Sequence, residues 1–150
     1  MLTMRPVTIR DLESADAEWV RELLAGTPEA ARWSVGQGGV SGSGLLCRVA
    51  ERNGQISGLI VFRSMADEAE ILNLAVEASQ RRQGIGWLLV QKAIAECEAA
   101  GVRTIFLEVR ESNEGALRLY ARAGFKENGR RAEYYREPTE DALILQHTIE

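Results

Sequence analysis

His147 is the only histidine in this chain of 150 residues. One imidazole cannot build a multi-histidine metal site, and a histidine-based nucleophile triad is improbable. No metal is therefore expected, and chemistry must come from carboxylates, tyrosines, cysteines or a bound cofactor. Glu108 is the first candidate, because it interrupts the otherwise apolar run Ile105-Phe-Leu-Glu-Val109. In a strand, Ile105, Leu107 and Val109 share one face, and Phe106 and Glu108 share the other. A carboxylate in that position suits a general base; the plainer alternative is a strand-end glutamate paired with Arg110 or another arginine. Tyr120 lies on an apolar stripe with Ala116 and Leu117. It is either a core aromatic with its hydroxyl tied off or a proton donor at the edge of that stripe.

A second kind of chemistry is anion binding. The stretch Gln80-Arg-Arg-Gln-Gly-Ile-Gly86 follows the apolar run Ile71-Leu-Asn-Leu-Ala-Val76 and opens a helical pattern. A strand end, a glycine turn and a helix start bring unpaired backbone N–H groups and the positive end of a helix dipole together. Gly84 and Gly86 let a backbone approach an anion, and Arg81 and Arg82 add charge. An ordinary glycine turn with solvated arginines explains the same residues equally well. The stretch is not a dinucleotide fingerprint, since Leu89 stands where a third glycine belongs. Asn113 is first a helix N-cap and second a ligand contact. Tyr134 and Tyr135, flanked by arginines, either form a pair of strand residues or line a pocket mouth for a peptide end.

The elements that must position these residues follow from periodicity. Thr3 to Arg10 reads as a first strand, with Asp11 capping a helix to about Leu24 whose stripe is Leu12, Ala15, Trp19 and Leu23. Thr27-Pro28-Glu29 reads as a short second helix. The glycine-rich segment Ser34 to Gly44 reads as a loop or lid. Strands at Leu45 to Ala50 and Gln55 to Ser64 join at Arg52-Asn-Gly54, a hairpin signal. A third strand, Glu70 to Val76, leads to a helix from Gly86 to Ala100 carrying Val90, Ala93, Ile94 and Cys97 on one face. Gly101 stops that helix, Thr104 to Val109 is a buried-type strand, and Asn113 to Ala123 is a helix closed by Gly124. Strands from Phe125 to Tyr135 and from Ala142 to Thr148 complete the order. The fold class is α+β: a mixed, mostly antiparallel sheet of about seven strands flanked by about four helices, in a single domain over residues 1–150.

Bulk properties narrow the classes. Hydrophobic residues at 45% and charged residues at 27% describe a globular chain, and a net charge of −4 argues against a duplex-DNA binder. No run approaches the roughly 18 apolar residues of a membrane span, and the N-terminal residues lack a secretory h-region. Cys47 and Cys97 read as two free thiols in the core of a cytoplasmic protein.

Together these segments resemble the GNAT superfamily of acetyl-CoA-dependent N-acetyltransferases, and within it the ribosomal-protein-alanine N-acetyltransferases. The family's pyrophosphate motif, Q/R-x-x-G-x-G/A, reads Arg81-Arg-Gln-Gly84-Ile-Gly86. Around it, in family order, stand Asn73-Leu-Ala-Val76, Leu107-Glu-Val-Arg-Glu-Ser-Asn113 and Leu119-Tyr-Ala-Arg-Ala-Gly-Phe125. The resemblance implies that backbone groups of Leu74, Ala75 and Val76 bind the acetyl and pantetheine portions of acetyl-CoA. It implies that Arg81, Arg82 and Gln83, with Gly84, Ile85, Gly86 and Trp87, hold the pyrophosphate, and that Asn113 contacts the coenzyme further along. It makes Glu108 the general base and Tyr120 the general acid, and the tail that carries Tyr134 and Tyr135 also resembles that group. The implied acceptor is the N-terminal amine of a protein, by resemblance a small-subunit ribosomal protein. A small amine, or a non-catalytic acyl-CoA-binding role, are the alternatives; neither nucleic acid nor membrane is an implied partner. Trp87, standing where the family has a basic or small residue, is expected to cover the phosphates or pack against a neighbour.

Overall fold

The computed structural model describes residues 6–25, 35–36, 39–40, 45–81 and 84–150. In chain order the elements are β1 (Thr8–Asp11), α1 (Ala17–Ala25), β2 (Val35–Gly36), β3 (Gly39–Val40), β4 (Leu45–Arg52), β5 (Gln55–Met65) and β6 (Glu68–Val76). They continue with α2 (Ile85–Ala99), β7 (Thr104–Arg110), α3 (Glu114–Arg122), β8 (Lys126–Tyr135) and β9 (Glu140–Thr148). Asn53 and Gly54, at φ of 56° and 74°, supply the two positive-φ residues a tight hairpin between β4 and β5 demands.

The largest departure from the sequence reading is at the first helix. Asp11 does not cap it; Asp11 ends β1, opposite Arg48 of β4 and 3.2 Å from its guanidinium. Sheet pairing outweighs the capping preference. The chain then makes a 3-10 turn at Ser14–Asp16, where Glu13 and Asp16 cap one another, before α1 starts. Asp16 is buried, and Arg10 grips both its oxygens at 2.8 and 3.1 Å while also pairing with Glu51. That guanidinium holds the Asp16 carboxyl below the usual carboxylate range. The stripe therefore shifts: Ala17 and Val20 are buried, Leu12 and Trp19 are partly buried, and Ala15 is exposed. The expected helix at Thr27-Pro28-Glu29 lies outside the described residues. Of the glycine-rich segment 34–44, the described residues pair antiparallel, Val35 with Val40 and Gly36 with Gly39.

Seven strands form one sheet in the order β1-β4-β5-β6-β7-β9-β8, with β6 and β7 parallel and every other pair antiparallel. This is the expected mixed α+β sheet, with three α-helices among the described residues. Both faces are packed. On one face Ile60, Phe62, Ile71, Ile105 and Leu107 meet Ile85, Leu89, Val90, Ala93 and Cys97 of α2 and Tyr120 of α3. On the other, Val49, Leu59, Val61 and Ala75 meet Val20 of α1. Each such fully buried aliphatic side chain contributes about 1.5–3 kcal/mol relative to exposure. The sheet is thus a rigid frame for whatever its edges carry.

Candidate active site

The parallel pair at the centre of the sheet makes the site. β6 and β7 are in register from Glu68↔Thr104 to Ile71↔Leu107, and there their pairing ends. β6 stays with β5 as far as Val76↔Gly58, and β7 stays with β9 as far as Arg110↔Ala142, so the two strands part like an opening V. A β-bulge starts the divergence: Ile71 pairs with Phe62 and Asn73 with Val61, leaving Leu72 as the extra residue. Bulges bend the strand that carries them, and this one turns the end of β6 away from β7. A cleft of about 910 Å³ fills the opening, floored by Leu74, Ala75 and Val76 on one side and by Glu108 on the other. The start of α2 and one face of α3 close it.

The turn into α2 takes its shape from two glycines with different tasks. Gly84 is the N-cap at φ 81°, a left-handed conformation, and no side chain caps the helix. The first N–H groups of α2 therefore have no capping partner at the cleft wall, which suits an anion. A Cβ on Gly86 would lie 3.2 Å from Leu119 Cδ2, so its bareness lets α3 pack close against α2. Arg81 turns back, its Nε donating to the Val76 carbonyl at 3.2 Å. Arg82 and Gln83 lie outside the described residues. Trp87, the residue of unexplained role, is partly buried and stacks under the guanidinium of Arg122 at 4.3 Å, so it packs against a neighbour at the cleft wall. Asn113 caps α3 by accepting from the Ala116 N–H at 3.2 Å.

Glu108 and Tyr120 both line this cleft. The strand alternation is as the sequence predicts, with Ile105, Leu107 and Val109 buried and Phe106 and Glu108 half-buried on the opposite face. Glu108 pairs with Arg131, Nε to Oε1 at 2.9 Å. Arg110 instead reaches Glu140 at 3.1 Å and the carbonyls of Arg136 and Pro138. Tyr120 is buried edge-on against Phe125, ring centroids 5.5 Å apart. Burial, with a smaller contribution from Tyr135, pushes its hydroxyl well above the ordinary phenol value, so it stays protonated throughout the neutral range. Tyr135 lines the cleft under the guanidinium of Arg110 at 4.5 Å, and Tyr134 stands edge-on to it at 5.1 Å.

Three cleft features carry no local signal in the sequence. The amide nitrogen of Asn73 is buried without a hydrogen-bond partner. Arg118 and Arg122 face the cleft from α3, giving its α2–α3 side a positive lining in a chain of net charge −4. Arg131 reaches Glu108 from a strand that is not adjacent to β7. No group of three His, Cys, Asp or Glu among the described residues is placed to hold a metal. Both cysteines are buried and free, and burial pushes Cys47 up to about 12 and Cys97 up to about 11. Neither is a thiolate nucleophile at neutral pH. No helix among the described residues is long and apolar enough to cross a membrane.

Comparison with known proteins places this architecture. The acetyltransferase (GNAT) family model matches residues 8–125. The chain is 41% identical over 98 residues to ribosomal protein bS18-alanine N-acetyltransferase of Escherichia coli strain K12, an alignment covering 63% of this chain and 65% of that one. The chain thus spans just under two thirds of that relative's length. The crystal structure of the ribosomal-protein-S18-alanine N-acetyltransferase from Escherichia coli superposes with a TM-score of 0.82 at 31% identity, over 97% of this chain and 95% of that chain. The structure of yncA from Salmonella typhimurium with its cofactor acetyl-CoA shares the fold, with a TM-score of 0.78 at 19% identity over 97% and 95% of the two chains. With a family model spanning most of its length and a neighbour of the same architecture across nearly all of it, this chain belongs to the GNAT acetyltransferase family.

Proposed function

We propose that the protein transfers an acetyl group from acetyl-CoA to the N-terminal α-amine of a protein, of the ribosomal-protein-alanine type, in the cytoplasm. The observation that carries this reading is the convergence of Glu108 from β7 and Tyr120 from α3 on one cleft whose far wall is the uncapped start of α2. That wall fits the coenzyme's phosphates: bare N–H groups, a left-handed glycine, and Arg81, Arg118 and Arg122 outnumbering the one carboxylate on the α2–α3 side, Glu114. Leu74, Ala75 and Val76 have no ladder partner toward β7, so their backbone groups on that edge are available to pantetheine amides, apart from the Val76 carbonyl, which accepts from Arg81. Bound there, acetyl-CoA supplies an activated acetyl group as a thioester.

The residues then divide the proton transfers. An N-terminal amine, with a pKa of about 7.7–8.0, is largely protonated at neutral pH and cannot attack. Glu108 takes its proton, directly or through water. As the C–N bond forms and the C–S bond breaks, Tyr120 donates its phenolic proton to the departing thiolate, and the second proton that the nitrogen sheds on becoming an amide restores the phenol. No covalent enzyme intermediate is involved, in keeping with cysteines locked as thiols.

Release of CoA thiol against a panel of acceptors tests this: an alanine-starting peptide, free amino acids and spermidine. Turnover is expected to be fastest with the peptide. A preference for spermidine or a free amino acid would move the acceptor to a small amine, and tight acetyl-CoA binding without turnover of any acceptor would leave only a binding role. Glu108→Gln is expected to slow the reaction mainly below about pH 8, where the amine is still protonated. An equal loss at every pH would argue against a base.

A further inference from the structure

Glu108 and Arg131 are separated by a whole strand. β9 lies between β7 and β8, with Glu108 opposite Ile144 and Ile144 opposite Gly129. Residues opposite one another in register point to one face, and Arg131 is two residues beyond Gly129. Glu108, Ile144 and Arg131 therefore stand on the same side of the sheet, where the Arg131 side chain reaches across β9 and brings its Nε to 2.9 Å from Glu108 Oε1. Gly129 puts no side chain beside that path. The pair is unequal, with Arg131 57% exposed and Glu108 21%. A half-exposed pair of this kind contributes little to stability. Its consequence is orientational.

We propose that Arg131 is a positioning residue for Glu108, engaging one carboxylate oxygen so that the other faces the acceptor amine. The inference rests on the reading of Glu108 as the base. Among the described residues Arg131 is the ion-pair partner of Glu108, and Glu108 itself lines the cleft. The remaining neighbours leave Arg131 as its cation. β6 offers Leu72 and Asn73, β9 offers Ile144, and Arg110 on the same strand is engaged with Glu140. The guanidinium also lies 5.7 Å from the Tyr134 ring, which ties the carboxylate's orientation to the tyrosine pair at the cleft mouth. A base displaced by about an ångström loses much of its effect on rate.

The test is a double-mutant cycle on the acceptor that the wild type turns over fastest. Arg131→Met, which keeps the chain length and removes the charge, is expected to lower kcat roughly tenfold with the KM for acetyl-CoA unchanged. Arg131→Lys should recover most of that loss, and Arg63→Met, which removes a comparable exposed pair with Glu70, should leave kcat unchanged. In a Glu108→Gln background, Arg131→Met should have no further effect. The same tenfold loss in that background would overturn the proposal, since Arg131 would then act independently of Glu108; so would an unchanged kcat in the single variant. A wild-type rate for Glu108→Gln alone would remove the base reading first, an outcome separable from both. Unfolding midpoints of the five variants, expected within a few degrees of wild type, exclude a general loss of fold.

Discussion

Glu108 sits on a strand edge that parts from its parallel neighbour, while the arginine that holds it comes from two strands away. The carboxylate is thus half sheltered, paired with Arg131 and open to the cleft, as the proposed base role requires. Tyr120 is its complement. Its ring packs with Phe125 inside the core, and burial keeps its proton on. A phenol in apolar surroundings is held as a proton donor at every neutral pH, and under the proposed function the group it donates to is the departing thiolate, whose charge is still developing as the proton moves. Tyr120→Phe keeps the ring and deletes only the hydroxyl. It is expected to slow the chemical step roughly a hundredfold in single-turnover kinetics, with the acetyl-CoA dissociation constant changed less than about twofold. A large loss of coenzyme affinity with an unaltered chemical step would make Tyr120 a packing residue instead.

The glycine turn into α2 gains its properties at the level of the element. Gly84 needs its φ of 81°, while a Cβ there would meet nothing within 4 Å. Alanine at 84 is therefore a conformational penalty alone, about 1–2 kcal/mol. Gly86 is the reverse case: helical and close to Leu119. Alanine at 86 gains about 1 kcal/mol of helix propensity, offset by pushing the flexible end of Leu119 a few tenths of an ångström. Urea unfolding should find Gly84→Ala destabilised by about 1–2 kcal/mol and Gly86→Ala near wild type; the opposite ranking would mean that α3 packing, and not the turn, limits this region. The same contrast explains what the sequence disclosed. Strands, helices and the hairpin at Asn53-Gly54 are local in their causes, and periodicity with capping chemistry found nearly all of them. Asp11 misled because its cap competed with a sheet partner, Arg48, that lies far along the chain. At the site, Glu108 and Tyr120 stood out by residue type against an apolar pattern. Arg131, the Trp87–Arg122 stack and the unpartnered Asn73 amide did not, since each depends on strand order or on helix packing that spacing does not encode.

Across the whole molecule the polar chemistry lies at the opening in the sheet, and the thiols lie in the packed layers on either side of it. Cys47 belongs to the layer against α1 and Cys97 to the layer against α2, 8% and 2% exposed. Both keep their protons in the folded state well past the ordinary thiol value of 9.0, Cys47 to about 12 and Cys97 to about 11, because burial disfavours the anion. A raised folded pKa leaves stability intact below pH 9. Above it the unfolded chain sheds protons that the folded chain retains, and stability falls with rising pH. At pH 10 each thiol takes away about 1.4 kcal/mol, and Tyr120, also raised by burial, has begun to add about 0.4 kcal/mol, rising above that pH. The opposite limb belongs to Asp16, whose lowered pKa contributes stability that is lost on acidification below about pH 4. Urea-unfolding free energies should therefore drop by about 3 kcal/mol between pH 8 and pH 10. In the double variant Cys47→Ala, Cys97→Ala the baseline is lower because two small cavities are made, yet that alkaline slope should flatten to under about 1 kcal/mol. An unchanged slope would show that the two thiols are reached by water in the folded protein and that the layers flanking the cleft open at alkaline pH.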